Sequence, residues 1–240
     1  DLRIGALGSG SDYTPFLQHT GIASLDVRFS GVDDGDGVYH SIYDDYYHFT
    51  HFLDTDFAYG RALAQTVGTM VVRLADADLL PFDFRDASDT VQTYVQDVQR
   101  LLKDRQDATR EQNRLIEEGL FAAIADPRRP VQPPGIEPIP PALNFAPLEN
   151  ASRAFTRAAD RYERAARTVR TRVPADVLRS VNARLRHAEA QFIDPAGLPK
   201  RPWYRHLLYA PGYYTGYAVK TLPGVREAIE QKAWADAEAE

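Results

Sequence analysis

The chain has 240 residues, enough for one large domain or two small ones, and its hydrophobic content of 44% is that of an ordinary globular protein. Its formal net charge of −6 gives no general basic surface, so nucleic acid is not expected as a partner. It has no cysteine, which excludes disulfides and cysteine-bound zinc and leaves histidine and carboxylates as metal ligands. No run of about 18 apolar residues is present, and no signal peptide is recognisable.

The first predicted elements are a short strand over residues 2–7 and a turn, Gly8-Ser9-Gly10-Ser11-Asp12, that leads into a helix. A Gly/Ser turn at the carboxyl end of a strand is typical of the places where open α/β sheets bind ligands. A plain connecting turn is the alternative, and the residues alone favour it. Neither glycine spacing of a phosphate-binding loop is present.

A second strand is predicted from Ile22 to Phe29, where apolar and polar residues alternate. Asp26 and Arg28 would project from the same face of this strand. They would either line a cleft or form a pair on the surface.

A histidine, His40, follows a Gly/Asp-rich loop at residues 31–37 and opens a segment dense in tyrosine and aspartate. Neutral imidazole offers a lone pair at physiological pH, so His40 is a candidate metal ligand or general base. A surface or structural histidine is the alternative. We expect His48 and His51, further along the segment, to be structural.

The remaining pattern is mainly helical. Apolar residues recurring over 57–74 predict a helix with one buried stripe, and a domain boundary is predicted near residue 77. Two helices are then predicted, the second starting at a capping box at Thr109. Two more follow, with stripes over 151–169 and 177–192, and antiparallel packing of these helices would give a bundle.

Two loops interrupt the helices. Residues 126–147 hold eight of the 16 prolines, which predicts an extended connector packed on the domain surface. Later, the segment Gly212-Tyr213-Tyr214-Thr215-Gly216-Tyr217 offers a mobile backbone and phenol hydroxyls that suit ligand contact, with ordinary loop packing as the alternative. A final helix is predicted to start near Leu222.

Several short strings, which keep their order over nearly the whole chain, resemble one family. Together they are similar to the C-terminal part of the glutamate carboxypeptidase II and transferrin receptor group of aminopeptidase-like zinc peptidases. The main strings are LGSGSD (7–12), GIAS (21–24), YHSIYD (39–44), LPFDFRD (80–86), FIDPAGLP (192–199) and RPWYRH (201–206), and shorter ones lie at 209–211, 222–224 and 232–234.

The resemblance implies a fold that is α/β plus all-α. Residues 1–77 would be the C-terminal end of an aminopeptidase-like α/β peptidase domain. Residues 78–240 would be a transferrin-receptor-like, helical-bundle dimerisation domain containing the connector at 126–147. In the family that domain pairs two protomers into a homodimer and sends a loop back over the active site.

The resemblance also implies a chemistry. His40 matches the last zinc ligand of the family, and Tyr39 matches a tyrosine whose hydroxyl contacts the reacting carbonyl. Two zinc ions in such enzymes polarise the scissile carbonyl of a peptide substrate and lower the pKa of a bridging water toward about 7. A glutamate takes the proton of that water.

The substrate-binding positions implied by the resemblance are Ser9, Gly10 and Ser11 in the turn, Arg28, and Tyr217 in the returning loop. Members selective for acidic peptides carry lysine where this chain has Gly216, a second arginine where it has Asp26, and asparagine where it has Ser11. Each difference removes a charge or hydrogen bond to an acidic side chain. We therefore expect weak glutamate preference or none.

The resemblance predicts the C-terminal portion of a bacterial di-zinc exopeptidase, with the other zinc ligands and the glutamate base upstream of residue 1. Both ends of the chain look cut, which agrees with a missing N-terminal region. We expect this polypeptide alone to be inactive, and the complete protein to be extracellular or periplasmic. The alternative is a non-catalytic, transferrin-receptor-like binding and dimerisation protein.

Overall fold

The structure, a computed structural model, describes residues 5–29, 37–124, 128, 134–168 and 173–240. These residues are mostly helical, with one two-stranded antiparallel sheet among them. The elements are α1 (Tyr46–His48), α2 (Ala58–Ala75), α3 (Phe84–Glu117), α4 (Leu120–Ala123), α5 (Ala146–Thr168), α6 (Ala175–Arg186), β1 (Tyr209–Pro211), β2 (Val219–Thr221), α7 (Pro223–Glu230) and α8 (Trp234–Ala239). Single π-helical turns occupy Pro15–His19 and Phe49–Leu53, and a 3₁₀ turn occupies Glu189–Phe192.

The chain divides into two compact units. The larger unit comprises residues 1–23, 83–173 and 187–240, and the smaller unit comprises residues 24–82 and 174–186. The domains predicted at 1–77 and 78–240 stay a prediction. In the described part of the chain, no helix has both the length and the apolar character needed to cross a membrane.

Helix α3 is the longest element of the larger unit, with 34 residues. It begins at Asp83, whose carboxylate accepts hydrogen bonds from the backbone N–H groups of Arg85 and Asp86. The prediction of a separate helix starting at Thr109 is wrong, because α3 runs without a break through that residue. The Thr109 hydroxyl donates to the carbonyl of Arg105, one turn earlier in α3, at 2.8 Å. No glycine or proline lies within α3, so nothing in the sequence interrupts the helix there.

Helices α3 and α5 form an antiparallel pair. Their side chains meet in an order that runs forward along α3 and backward along α5: Arg85 with Asp160 at 2.6 Å, Gln92 with Thr156 at 2.7 Å, and Gln99 with Glu149 at 2.6 Å. The helix predicted over 151–169 is confirmed as α5. Its buried residues are Ser152 and Ala159, one position away from the predicted alanine stripe, because alanine marks a buried face only weakly.

The apolar core of the larger unit lies between α3 and the C-terminal helices. Val95, Val98 and Leu102 come from α3, at alternating spacings of three and four residues that keep them on one face. Their partners are Leu222, Val225, Ala228, Ile229 and Ala237, at or near α7 and α8. This core fixes α7 against α3 and so positions the strands that precede α7.

Residues 134–145 of the proline-rich connector form neither helix nor strand and follow the second half of α3. Asn113 of α3 donates to the carbonyl of Glu137 at 2.7 Å and accepts from its N–H at 3.0 Å. Gln106 donates to the carbonyl of Pro140 at 3.1 Å. Backbone groups of an extended segment that cannot pair in a sheet are satisfied here by amide side chains of the helix.

The smaller unit differs most from the predictions. Helix α2 has no buried residue, so the buried stripe predicted over 57–74 is wrong, and Val71 and Leu74 are 59% and 45% exposed. The strand predicted from Ile22 to Phe29 is also wrong, because those residues form no strand. A strand is stable only when a neighbouring strand pairs with it, and the described residues offer none. The α/β character expected over 1–77 is therefore not seen in its described part; residues 1–4 and most of the loop at 31–37 lie outside it.

Candidate functional site

A short hairpin displays the tyrosine loop, which we define as residues 212–217. Strands β1 and β2 pair antiparallel, with Tyr209 opposite Thr221 and Pro211 opposite Val219. The loop closes through a hydrogen bond from the N–H of Gly212 to the carbonyl of Ala218 at 2.9 Å. Within the loop, Tyr214 and Tyr217 are 80% and 62% exposed. The hairpin therefore presents phenol hydroxyls to solvent from a closed base.

The tyrosine loop lies against the N-terminal turn. The N–H of Ser9 points to the carbonyl of Tyr217 at 3.5 Å, a long hydrogen bond. Gly10 has φ +103°, and a β-carbon there would come within 2.7 Å of the Tyr217 ring. A β-carbon at Gly8 would collide with the Tyr217 carbonyl. Three of the predicted substrate-binding positions, Ser9, Gly10 and Tyr217, are thus brought together although about 200 residues separate them in sequence.

A buried glutamine holds the N-terminal turn in place. The Gln18 side chain is fully buried and donates to the carbonyls of Leu7 and Gly8, both at 2.9 Å. The backbone carbonyl of Gln18 accepts from the N–H of Arg205 at 2.8 Å. The sequence analysis missed this residue, since one polar side chain beside Leu17 in a short helix has no periodic signal. Ser11 is exposed, and its carbonyl accepts from the Thr14 hydroxyl at 2.8 Å.

A second polar group anchors the other side of the tyrosine loop. Arg201 and Glu227 form an ion pair in which both side chains are 11% exposed. Arg201 also donates to the carbonyl of Pro211, and Glu227 accepts from the N–H of Tyr213. These two residues were also missed, because their pairing is visible only once α7 is folded against the hairpin.

A third cluster of polar contacts includes the buried His206 and Tyr209 of β1. His206 is fully buried, and its Nδ1 accepts from the N–H of Leu208 at 3.2 Å. Its Nε2 therefore carries the proton and donates to Glu189 at 2.9 Å. The Tyr209 hydroxyl donates to the same Glu189 oxygen, and the Tyr209 and His206 rings stack with centroids 4.2 Å apart.

These contacts shift two pKa values in opposite directions. Burial alone would raise the pKa of Glu189, but the hydrogen bonds from His206 and Tyr209 favour the carboxylate and leave the pKa below its ordinary value. Burial raises the pKa of Tyr209, and the neighbouring Glu189 charge raises it further. Both groups therefore keep their ordinary charge states at neutral pH, ionised for Glu189 and neutral for Tyr209.

The smaller unit carries the predicted metal and catalytic residues. His40 is exposed and has φ +64°, an uncommon conformation for a residue with a β-carbon. The Tyr39 ring is 70% exposed and stacks on the His40 ring with centroids 3.8 Å apart. Arg28 is exposed on the segment that was predicted to be a strand. His51 contacts the carbonyl of Tyr47 at 2.9 Å through Nδ1, an ordinary structural contact within one turn.

The described residues do not by themselves fit a zinc ion. Within the described ranges, no group of three or more histidine, aspartate or glutamate side chains gathers where it could hold a metal. A catalytic zinc ion usually has about three protein ligands, and His40 is the one candidate that the sequence indicated.

Comparison with known proteins shows which proteins the chain resembles. Residues 143–240 match the transferrin receptor-like dimerisation domain. The chain is 32% identical over 231 residues to a probable glutamate carboxypeptidase of Arthroderma benhamiae and 29% identical over 228 residues to the probable glutamate carboxypeptidase LAMP1 of Arabidopsis thaliana, covering 95% of this chain in each case. It is 27% identical over 249 residues to the rat aminopeptidase NAALADL1, covering 98% of this chain.

These matches confirm the predicted resemblance to the glutamate carboxypeptidase II and transferrin receptor-like family. It spans only 27–29% of the length of these relatives.

Proposed function

We propose that this chain is the C-terminal portion of a di-zinc exopeptidase that hydrolyses peptide bonds of small peptides. The observation that carries the proposal is the packing of the turn at residues 8–10 against Tyr217. The family resemblance gives both elements to the substrate cleft, and a cleft wall made of distant segments requires this kind of contact. The carboxypeptidase and aminopeptidase names of the relatives, which match 95–98% of this chain, support the same activity.

Each site residue has a role in the proposal. Tyr217 and the turn residues Ser9, Gly10 and Ser11 contact the peptide, with Arg28 as a cationic contact. The Tyr39 hydroxyl donates a hydrogen bond to the reacting carbonyl. His40 holds one of two zinc ions through a ring nitrogen, and the remaining ligands come from polypeptide outside these 240 residues.

The exposed apolar surface of the smaller unit supports a missing peptidase region as partner. Its exposed large side chains include Phe52, 67% exposed, and Val72 of α2, 66% exposed. Large apolar patches that are exposed on a protein commonly mark surfaces that another molecule or domain covers. We assign that cover to the N-terminal part of the same peptidase.

Two further features belong to the proposal. Substrate choice is not restricted to acidic peptides, because Gly216, Asp26 and Ser11 lack the charge or amide that would hold a glutamate side chain. The assembly is a homodimer, supported by the match of residues 143–240 to a dimerisation domain, and it works in an extracellular or periplasmic compartment. Sedimentation equilibrium of the complete protein tests the dimer, and cell fractionation tests the compartment.

The experiment that tests the activity expresses the complete reading frame and measures zinc content and peptide hydrolysis. We expect about two zinc ions per protomer and a zinc-dependent exopeptidase activity. His40→Ala should lower zinc content and activity, whereas His187→Ala, which alters another exposed histidine, should change neither. The 240-residue chain alone should be inactive even with added zinc.

A non-catalytic binding and dimerisation protein is the second candidate. It is favoured by the match to a dimerisation domain and by the lack of a metal-binding group among the described residues. A complete protein that dimerises but holds no zinc and cleaves no peptide would establish this alternative.

A further inference from the structure

The Arg201–Glu227 ion pair joins α7 to the segment that precedes β1. Both side chains are 11% exposed, so the pair is largely removed from water. The Arg201 guanidinium also lies 5.6 Å from the centre of the Tyr204 ring and 5.8 Å from that of Tyr213. A nearly buried pair is weak evidence for stability, because desolvation offsets much of the attraction. Its further contacts are therefore informative.

Both partners use their remaining atoms on backbone groups where β1 meets the tyrosine loop. One guanidinium nitrogen of Arg201 contacts Glu227 and another donates to the carbonyl of Pro211. One carboxylate oxygen of Glu227 contacts Arg201 and the other accepts from the N–H of Tyr213. The pair is thus hydrogen-bonded to the backbone on both sides of Gly212, where the chain leaves β1 and enters the loop.

These two hydrogen bonds, to Pro211 and Tyr213, fix the direction in which the loop leaves the hairpin. Beyond Tyr213 the loop makes a return bond from the N–H of Ala218 to the carbonyl of Thr215 at 3.3 Å and then lays Tyr217 on the turn at Gly10. Charge-assisted hydrogen bonds to backbone groups are stronger than neutral ones, so they suit the task of holding an exposed loop.

We propose that Arg201 and Glu227 are positioning residues that fix the tyrosine loop and so set the place of Tyr217 in the substrate cleft. The substrate part of this statement rests on the proposed peptidase function. The loop part concerns the 240-residue chain itself and can be tested without any activity.

Hydrogen exchange of the 240-residue chain provides the first test. Glu227→Gln keeps the size of the side chain but replaces one carboxylate oxygen by an NH₂ group, so only one of the two positions that face Arg201 and Tyr213 still holds an acceptor. We expect exchange of the amides of residues 212–218 to accelerate about tenfold, with α3 and α5 unchanged. The control, Glu230→Gln, alters another glutamate of α7 and removes its ion pair with Lys220 of β2. It should leave Tyr213 protected.

Two results would overturn the proposal. Unchanged exchange at residues 212–218 would show that the pair does not hold the loop, and equal acceleration throughout the larger unit would show a general structural role. If Glu227→Gln does not fold, Arg201→Lys replaces the fork of donors by a single ammonium that cannot serve Glu227 and Pro211 in the same way. It should again accelerate exchange in the loop alone.

Kinetics of the complete protein test the link to substrate. Arg201→Lys should raise KM about tenfold and leave kcat within about threefold, because a displaced Tyr217 weakens substrate binding rather than chemistry. An unchanged KM in a variant with a loosened loop would refute the link. A wild-type protein without peptidase activity would refute the proposed function and leave the exchange result standing.

Discussion

The ring of Tyr217 lies on Gly10 so closely that a β-carbon at Gly10 would come within 2.7 Å of it. Gly10 also has φ +103°, a conformation that residues with a β-carbon rarely adopt. Two separate constraints therefore select glycine at this position. The contact joins the start of the described chain to its last hairpin and gives the candidate cleft a defined edge.

Replacing Gly10 tests this contact. We expect Gly10→Ala to lower the free energy of unfolding by about 2–3 kcal/mol, from backbone strain and overpacking together. Gly216→Ala is the control, because Gly216 also has positive φ, +61°, but a β-carbon there meets nothing within 4 Å. It should lower that free energy by only about 1 kcal/mol. Urea unfolding followed by circular dichroism measures both, and equal losses would argue against the packing of Tyr217 on Gly10.

Tyr209 should limit stability at alkaline pH. Its pKa is raised above the ordinary value of 10.0 in the folded protein. Its contribution to the free energy of unfolding is therefore complete below that value and is lost as the pH rises toward the folded pKa. Between about pH 9 and 11 the wild type should therefore lose more stability than Tyr209→Phe, which has no proton to release. Tyr214→Phe, at a side chain 80% exposed, should behave like the wild type. Unfolding measured at several pH values gives the free energy of unfolding against pH. An equal loss in the wild type and in Tyr209→Phe would contradict this prediction.

Glu189 should have the opposite effect in acid. Its pKa is lowered below the ordinary value of 4.5 in the folded protein. Its contribution to the free energy of unfolding is therefore complete above that value and is lost as the pH falls through the folded pKa. Glu189→Gln should be less stable than the wild type at neutral pH and should lose less stability between about pH 5 and 3. Glu117→Gln, at an exposed position of α3, serves as the control. Thermal melts across this range measure the effect, and an unchanged acid slope in Glu189→Gln would show that the carboxylate is not responsible.

In the proposed exopeptidase, Gly216 should govern the preference for acidic substrates. Gly216→Lys places an ammonium beside Tyr217, as in family members that select acidic peptides, and should raise kcat/KM for a C-terminal glutamate about tenfold relative to a neutral residue. Gly216→Met is the matched control for size and for the positive φ. A wild-type enzyme that already prefers glutamate strongly would refute the reading of this position.

Regular elements were predictable where one signal repeats along the chain. The helix at α5 follows from its apolar spacing, although the weakly apolar alanines did not identify Ser152 and Ala159 as the buried residues. The length of α3 was underestimated because a sequence that resembles a capping box at Thr109 has no effect when the helix continues through it.

Long-range polar contacts and uncovered surfaces were not predictable in the same way. Gln18, Arg201 and Glu227 each act on backbone groups of distant segments, and no local pattern reports such partners. The apolar stripe of α2 was recognised, but whether a stripe is buried depends on what covers it. The resemblance identified Ser9, Gly10 and Tyr217, which the structure brings together. Their substrate-binding roles stay predictions, as do the roles of His40, Tyr39 and Arg28.

The division of the core between α3 and residues 222–237 has a consequence for biosynthesis. At ribosomal speeds of about 5–20 residues per second, the roughly 120 residues between Leu102 and Leu222 take about 6–24 seconds to make. During that interval α3 and α5 can pair, but the apolar face with Val95, Val98 and Leu102 lacks its buried partners from residues 222–237. The nascent chain therefore passes through a stage in which this apolar face of α3 is open to chaperones, proteases and other chains.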